Sequence, residues 1–462
     1  MRRLWILPFL LTVVIAAGCS NLEPEAVNPP GGKTFWALKI RPGSNTPYTV
    51  PAFFVGQNQH VAVYLEAGKE VSKSAIDSLL NAFSSSIVPV EHSVFGTPLG
   101  LNTDGRVILL LLDIDDGYTP GNGYVAGYYD SRNIFRDSSV KASYGTRSNE
   151  AEMLYLDIYP SVAGSTEFLA TAAHEYQHLL QFAKNYRNDT LEETWVDEGL
   201  SEVASDLAGY GPQSGRLQTF RTSQTTSFGG IQGDSLIQWS NELADYAHVY
   251  VYFRYIADVY GTNVLNKVFN NTSTGVAGLR SALSSVGAAT SCGGSTSDVL
   301  ECSYRNMWGS ILQLTTYGQS MRDSSTANLS GAFSSALNFT TISPTVATPS
   351  YTSAFSLPPL GFRTFGKSSG NTASLGCTSC NLTLVQKLTG TNFVVFNHSS
   401  STSSGSTSIT GAQITEVLPA TSLSVMELHN IGPKLHFRVN LTAQEMHALP
   451  LAEPAAHNDS EE

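Results

Sequence analysis

Charge is scarce in this chain. Only 14% of its 462 residues are charged, and the 26 basic side chains are outnumbered by 38 acidic ones. With a formal charge of −12 and no long basic run, most of the surface repels a phosphate backbone, which argues against nucleic acid as a partner. Apolar runs of about 18 residues, the length a spanning helix needs, are missing beyond the first residues. Cysteine is limited to five positions. What is abundant is consistent with a folded body: 42% hydrophobic and 10% aromatic residues exclude disorder as the default, and the length suits two or three folded units.

The first residues read as an export signal, with Arg2 and Arg3, an apolar run from Leu4 to Ile15, and then Ala16-Ala17-Gly18-Cys19. Small residues before a cysteine resemble a bacterial lipobox, although Ala16 stands where leucine is more usual, and plain signal cleavage is the alternative. On the lipobox reading residues 1–18 are removed, Cys19 carries acyl chains, and the protein is anchored to a membrane. Ser20 after it points to the outer membrane or cell surface. Losing two arginines and no acid moves the formal charge from −12 to −14. Residues 19–33 (CSNLEPEAVNPPGGK) then read as a flexible tether. The remaining cysteines, Cys292, Cys302, Cys377 and Cys380, are an even set in an exported chain, so two disulfides are expected. Pairing of near neighbours is the simplest of the three connectivities, and sequence does not select among them. A zinc site at Cys377 and Cys380 lacks a second ligand pair.

The folded part reads as α+β. Ser72 to Phe83 has helical spacing, while 106–113 and 153–158 read as strands. Between those strands, Asp115 to Asp130 reads as a Gly-rich loop. From Ser165 the pattern turns helical: Thr166 to Asn185, Leu191 to Ala208, and Asn241 to Tyr260 with Gly261 as a stop, with a loop from Pro212 to Gly233. After residue 345 come short alternating runs at 382–388, 393–396, 423–428 and 435–441 that read as a small β-sandwich. The expected division is therefore an α+β domain over 34–345, a β-sandwich over 346–447, and a polar acidic tail over 448–462.

Within the first long helix stand His174-Glu175-Tyr176-Gln177-His178. Each helical residue turns about 100°, so residues four apart project from one face and both imidazoles can meet one ion. Neutral imidazole is a good zinc ligand. Glu175, one step round, can touch a water at the metal without ligating, which makes it the candidate general base. A catalytic site needs a third ligand, and Glu198 in Trp195-Val-Asp-Glu-Gly-Leu-Ser-Glu202 supplies a carboxylate on a second helix. Glu202, one turn on, could hold a ligand imidazole from behind. Given 10 histidines and 38 acids, chance produces about 0.02 such pentapeptides in a chain of this length. The rival is a helix with two solvated histidines, and Tyr176 and Gln177 are assigned to packing and solvent.

HEYQHLLQF followed by WVDEGLSE resembles the gluzincin metallopeptidases, and most closely the hyicolysin family of secreted bacterial proteases. Asp104–Leu109, GYVAGYYD at Gly123–Asp130 and SNEAEMLYLD at Ser148–Asp157 agree with it, so the similarity covers about residues 50–265. It implies a thermolysin-like domain split by a cleft, one catalytic zinc, and protein or peptide substrates. The lipid anchor and the C-terminal region lie outside it. An oxyanion stabiliser is expected on Asp245–Arg254, with Tyr246 and His248 as candidates against the alternative of an aromatic packing stripe. Asp113, Asp115 and Asp116 could bind calcium, but the spacing of a calcium loop is absent and a solvated turn is favoured. The expected activity is hydrolysis of peptide bonds with Glu175 activating water at the metal. A surface-binding or adhesion lipoprotein on an inactive metallopeptidase scaffold is the competing function.

Overall fold

The computed structural model of the protein describes residues 28–41, 44–121, 123–221, 230–288, 298–312, 356–366, 381–386, 392–399, 407–408, 434–439, 441 and 443–452. Strands β1 (Lys33–Arg41), β2 (Ser44–Gln57) and β3 (Val61–Glu66) open it. Helix α1 (Lys73–Ala82) follows, its first turn capped by the Ser72 hydroxyl accepting from Ala75 N–H at 3.2 Å. A π-helical turn, Phe83–Ile87, joins it to α2 (Val88–Phe95). Then come β4 (Val107–Leu112), β5 (Tyr124–Asp130), α3 (Asp137–Tyr144) and β6 (Met153–Asp157). The helical part comprises α4 (Thr166–Asn188), α5 (Thr194–Leu207), α6 (Ser214–Arg221), α7 (Leu243–Tyr260), α8 (Asn263–Phe269), α9 (Gly275–Ser285) and α10 (Val299–Ile311). The C-terminal part comprises β7 (Ser356–Leu357), β8 (Phe362–Gly366), β9 (Leu382–Gln386), β10 (Asn392–Asn397), β11 (Thr407–Ser408), β12 (Lys434–Val439) and α11 (Ala443–Ala448).

Seven strands form one mixed sheet in the order β1-β2-β3-β4-β6-β5-β12. Its centre, β3, β4 and β6, is parallel, and β5 runs antiparallel to β6. β4 is Val-Ile-Leu-Leu-Leu-Leu with all six residues buried, the unbroken apolar run that a strand covered on both faces requires. One face carries the helices, with Leu109, Leu111, Leu154 and Leu156 meeting Ala172, Leu179 and Leu180 of α4 in one core. The other face is closed by the curl of the sheet itself. Tyr128 of β5 stacks on Tyr155 of β6 with centroids 4.1 Å apart, and their hydroxyls bond the β1 backbone at Leu38 N–H (3.1 Å) and Trp36 carbonyl (2.8 Å).

Several local expectations change. Residues 124–130 are not loop but the fully buried strand β5, and the glycine at 127 answers close packing rather than a turn. A Cβ at Gly127 would lie 2.8 Å from Thr171 Cγ2 and 3.2 Å from Glu175 Cγ, so the missing side chain lets α4 sit directly on β5. The stretch from Pro212 to Gly233 contains α6.

The described strands of 346–447 pack in more than one place. β8-β10-β9 forms a three-stranded sheet on α10, with Trp308 against Phe362 (4.3 Å) and Tyr304 against Phe396 (5.1 Å). β12 instead joins the main sheet, parallel to β5. Near the described C-terminal end, Leu449 is buried, Leu451 bridges Phe135, and His447 stacks on Tyr186 of α4. Alternating patterns mark strands but not the sheet they join.

Candidate metal centre

α4 begins at Ser165, whose hydroxyl accepts from Phe168 N–H at 3.1 Å, and ends at Asp189 in a left-handed conformation. It is the central helix of the molecule. Every residue from Ala170 to Asn185 is buried, because β5 and β6 cover one side and α5 the other. A short connection returns the chain as α5, which brings Glu198 back against the two histidines. α5 in turn lies close to α7: a Cβ at Gly199 would fall 2.4 Å from the Phe253 ring, so glycine beside the candidate ligand permits that approach.

His174 Nε2 and His178 Nε2 are 3.0 Å apart, and Glu198 Oε2 is 3.3 Å from the first and 3.4 Å from the second. Three such atoms so close form a group that could hold a metal ion. A tetrahedral ion with bonds of 2.0–2.1 Å has ligand–ligand edges of about 3.3 Å, so the observed triangle fits one face of such a tetrahedron. Among the described residues this is the one group of His, Cys, Asp and Glu side chains that converges in this way. His174, Glu175, His178 and Glu198 are all at most 2% exposed.

The surroundings are electrostatically tuned for positive charge. Burial pulls the His178 pKa down, but the carboxylates of Glu198 and Asp197 outweigh it and lift the group to about 10. Burial lowers His174, against the opposing hydrogen bond from Glu198. The carboxylate behind an imidazole of this group is Asp197, whose Oδ1 accepts from His178 Nδ1 at 2.9 Å. Sequence reasoning gave this part to Glu202, which lies 3.8 Å from His174 Nδ1 and is held instead by Arg216, at 2.8 Å from Nε and 2.7 Å from Nη2. Asp197 was legible as the acid one residue before Glu198, but its partner was not. Glu91 of α2 was also missed. It is fully buried, neither carboxyl oxygen has a hydrogen-bond partner among the described residues, and burial raises its pKa well above the usual range despite the nearby His178.

The two oxyanion candidates have other engagements. The Tyr246 hydroxyl donates to Asn241 Oδ1 at 3.1 Å, and the Arg216 guanidinium sits 4.7 Å above its ring. His248 has both ring nitrogens bonded, Nδ1 to Asp234 (2.9 Å) and Nε2 to Tyr304 (2.8 Å), and burial lowers it to about 3. The Tyr304 hydroxyl donates to Leu360 carbonyl at 2.9 Å and therefore accepts from His248 Nε2. Nδ1 of the neutral ring is then an acceptor, and Asp234 must donate. Burial pushes the Asp234 carboxyl up to about 8, in keeping with that assignment. His248 is a link in a buried chain joining α7 to α10.

The remaining sequence-based assignments divide. Gln177 is fully buried and accepts from the Ser201 hydroxyl, so it does not serve solvent, and Tyr176 bonds His92 Nε2 at 2.7 Å. Asp113 pairs with Lys69 at 2.7 Å, Asp115 with Arg41 and Lys39, and Asp116 accepts from the Tyr118 and Val125 amides, so these carboxylates face separate partners rather than one calcium ion. Cys302 is buried on α10, while Cys19, Cys292, Cys377 and Cys380 lie outside the described residues.

No family model matches the chain. It is 25% identical over 238 residues to the neutral metalloprotease ShpI of Staphylococcus hyicus, an alignment covering 49% of this chain and 51% of ShpI. The chain thus spans about half the length of that curated relative. The match is distant and supports a relationship to the metallopeptidases, and His174, His178 and Glu198 form a group able to hold a metal ion.

Proposed function

We propose that the chain is a zinc metalloendopeptidase of the hyicolysin type, with a thermolysin-like catalytic domain, that hydrolyses peptide bonds in proteins. The observation that carries this reading is the buried triangle of His174, His178 and Glu198, with sides of 3.0–3.4 Å and Glu175 on the next helical position. A bound zinc ion would supply Lewis acidity toward the scissile carbonyl and an attacking water. Glu175 takes a proton from that water as its oxygen bonds to the carbonyl carbon. The same carboxyl then delivers the proton to the amine as the C–N bond breaks. Asp197 keeps His178 in the tautomer whose Nε2 lone pair faces the triangle, and Glu202 with Arg216 braces the His174 side. We also assign export and acylation at Cys19 on the strength of the Leu4–Ile15 run and the Ala-Ala-Gly-Cys junction.

Zinc analysis alongside digestion of denatured casein, with and without a chelator, tests the enzymatic reading. About one zinc per chain and chelator-sensitive cleavage are expected. Cleavage without bound metal overturns the mechanism, and zinc without cleavage of any unfolded protein favours the inactive binding scaffold. Mass measurement of the N-terminal peptide tests the lipid reading separately.

A further inference from the structure

Beyond the two histidines, α4 stays polar in its buried part. Gln177, Gln181 and Lys184 follow at intervals of four and three residues, so they stand in one row along the helix, and none is more than 5% exposed. Each leaves one polar atom without a hydrogen-bond partner among the described residues: Gln177 Nε2, Gln181 Oε1 and Lys184 Nζ. Their other polar atoms are engaged, Gln177 Oε1 with the Ser201 hydroxyl and Gln181 Nε2 with Asn185 Oδ1 at 3.0 Å. Buried polar atoms are rarely left unbonded, because a group stripped of water and given nothing in return carries the whole cost of the lost bond. A buried ammonium with three donors carries the most.

Two carboxylates act on Lys184. Glu192 stands in the connection from α4 to α5 and Asp197 in the first turn of α5, both buried. Burial lowers the Lys184 pKa, and these two acids oppose it, yet neither is hydrogen-bonded to Nζ. Glu192 Oε1 accepts from the amides of Gly275 (2.6 Å) and Glu193 (3.0 Å), while Asp197 Oδ1 meets His178 Nδ1 at 2.9 Å. Donors and acceptors therefore face one another here without a direct bond. Water suits such a place, since it accepts from an ammonium, donates to a carboxylate or an amide oxygen, and needs only two to four polar partners. An anion would be repelled by the two carboxylates, and a cation by Lys184.

We propose that water held by Lys184 Nζ and Gln181 Oε1 joins Lys184 to Asp197, and that Lys184 is thereby a positioning residue for the metal centre, acting on His178 through Asp197. The inference rests on the zinc reading given above. Glu192 and Asp197 repel one another, and a cation that attracts both holds the Asp197 carboxylate where its Oδ1 meets the imidazole. Lys184 serves Asp197 as Arg216, bonded directly, serves Glu202, so each acid beside the two histidines has a buried cation of its own. Helix geometry supports the reach: side chains lean toward the helix N-terminus, so Lys184, six residues beyond His178, points back toward it.

The test measures zinc affinity of the full chain by competition with a chelator, with Lys184→Met and Lys184→Arg each made alone and together with Asp197→Asn. Lys184→Met keeps an unbranched stem but loses the charge and the donors. It is expected to weaken zinc binding about tenfold, the low end for partners behind a ligand, while Lys184→Arg, which keeps the charge, retains more of the affinity. In the Asp197→Asn background the effect of Lys184→Met should shrink to less than about twofold, because the route runs through Asp197. Equal losses in both backgrounds, or none in either, overturn the positioning role. If Lys184→Met does not fold, Gln181→Leu carries the same cycle: it removes the acceptor of the water and leaves the charge, and a loss that persists after Asp197→Asn overturns the proposal. Crystals of the metal-free and zinc-loaded chain should each show ordered water about 2.7–3.2 Å from Lys184 Nζ, and a direct bond to Asp197 in its place overturns the bridge. A wild-type chain that binds no zinc defeats the metallopeptidase reading, and the water in metal-free crystals still decides this one.

Discussion

Replacing Asp197 isolates the hydrogen bond behind the metal centre. Its Oδ1 lies 2.9 Å from His178 Nδ1, in a site where both residues are at most 5% exposed, so the bond is charge-assisted and shielded from water. Bonds to charged groups contribute about 1.5–3 kcal/mol. Outer carboxylates behind ligand histidines alter metal affinity by about 10–100-fold, or about 1.4–2.7 kcal/mol, so two independent routes give one range. Asp197→Asn keeps an acceptor but loses the charge and belongs near tenfold, whereas Asp197→Ala loses both and belongs near 100-fold. The assay is competition for zinc against a chelator of known affinity, with thermal melting of the metal-free protein beside it. Glu202→Gln is the contrasting variant. At 3.8 Å from His174 Nδ1 it makes no hydrogen bond there, but it breaks a buried pair with Arg216, so its main cost is fold stability, about 3–5 kcal/mol. Asp197 variants should therefore lose zinc affinity as well as apo stability, whereas Glu202→Gln should lose apo stability with zinc affinity little changed. Unchanged zinc affinity in Asp197→Ala would refute the reasoning.

Three further outcomes are expected. Glu175→Gln should retain zinc and lose about 10²–10⁴ in casein hydrolysis rate, since the amide cannot take the water proton; near-wild-type turnover would remove Glu175 from that role. Gly127→Ala should destabilise by about 1–3 kcal/mol in chemical denaturation and lower activity, because the new methyl meets Thr171 Cγ2 at 2.8 Å, Tyr155 carbonyl at 3.0 Å and Glu175 Cγ at 3.2 Å. Asp234 has its folded pKa raised by burial from 3.8 to about 8, so its contribution to stability is fully present below about pH 4 and lost as pH rises through about 8. Asp234→Asn should flatten the fall in melting temperature across that window, and an unchanged slope would show that this carboxyl does not titrate there.

The parts of the fold visible in the sequence are those where local chemistry and global packing agree. α1, α4, α5 and α7 lie close to where apolar period and capping residues put them, and β4 and β6 were plain from their continuous apolar runs. The metal group was legible because helix geometry alone puts His174 and His178 on one face, and the hairpin of α4 and α5 is short enough to return Glu198. Partners set by tertiary contact were not. Asp197 and Glu202 are both acids near the third ligand, and choosing which one meets an imidazole requires the crossing of α4 and α5. The partners of His248 were hidden as well, because nothing in the sequence announces Asp234 and Tyr304, 14 residues before it and 56 after it. β5 was read as loop because its glycines and tyrosines mimic turn composition, while the need for glycine came from α4 on the neighbouring layer.

The arrangement behind the ligands explains how the centre can keep its shape independently of an ion. α5 is tied to α6 by Glu202 with Arg216, and to α7 by Asp206, which accepts from the Tyr250 hydroxyl at 2.8 Å and pairs with Arg254. Glu198, Glu202 and Asp206 follow at four-residue intervals on α5, so the candidate ligand and both tie points share one helical face. Arg254 itself is fully buried and lies between Asp206 and Asp258. Such buried pairs add little net stability, because desolvating the charges offsets much of their attraction. What they impose is position: sliding α5 by one residue would strand two carboxylates and two guanidiniums in a low-dielectric interior, at several kcal/mol for each broken pair. That penalty selects a single register for α5 against α6 and α7. With α4 fixed between β5 and α5, the same register places Glu198 Oε2 against the two imidazoles, so the geometry of the centre follows from the ion pairs behind it.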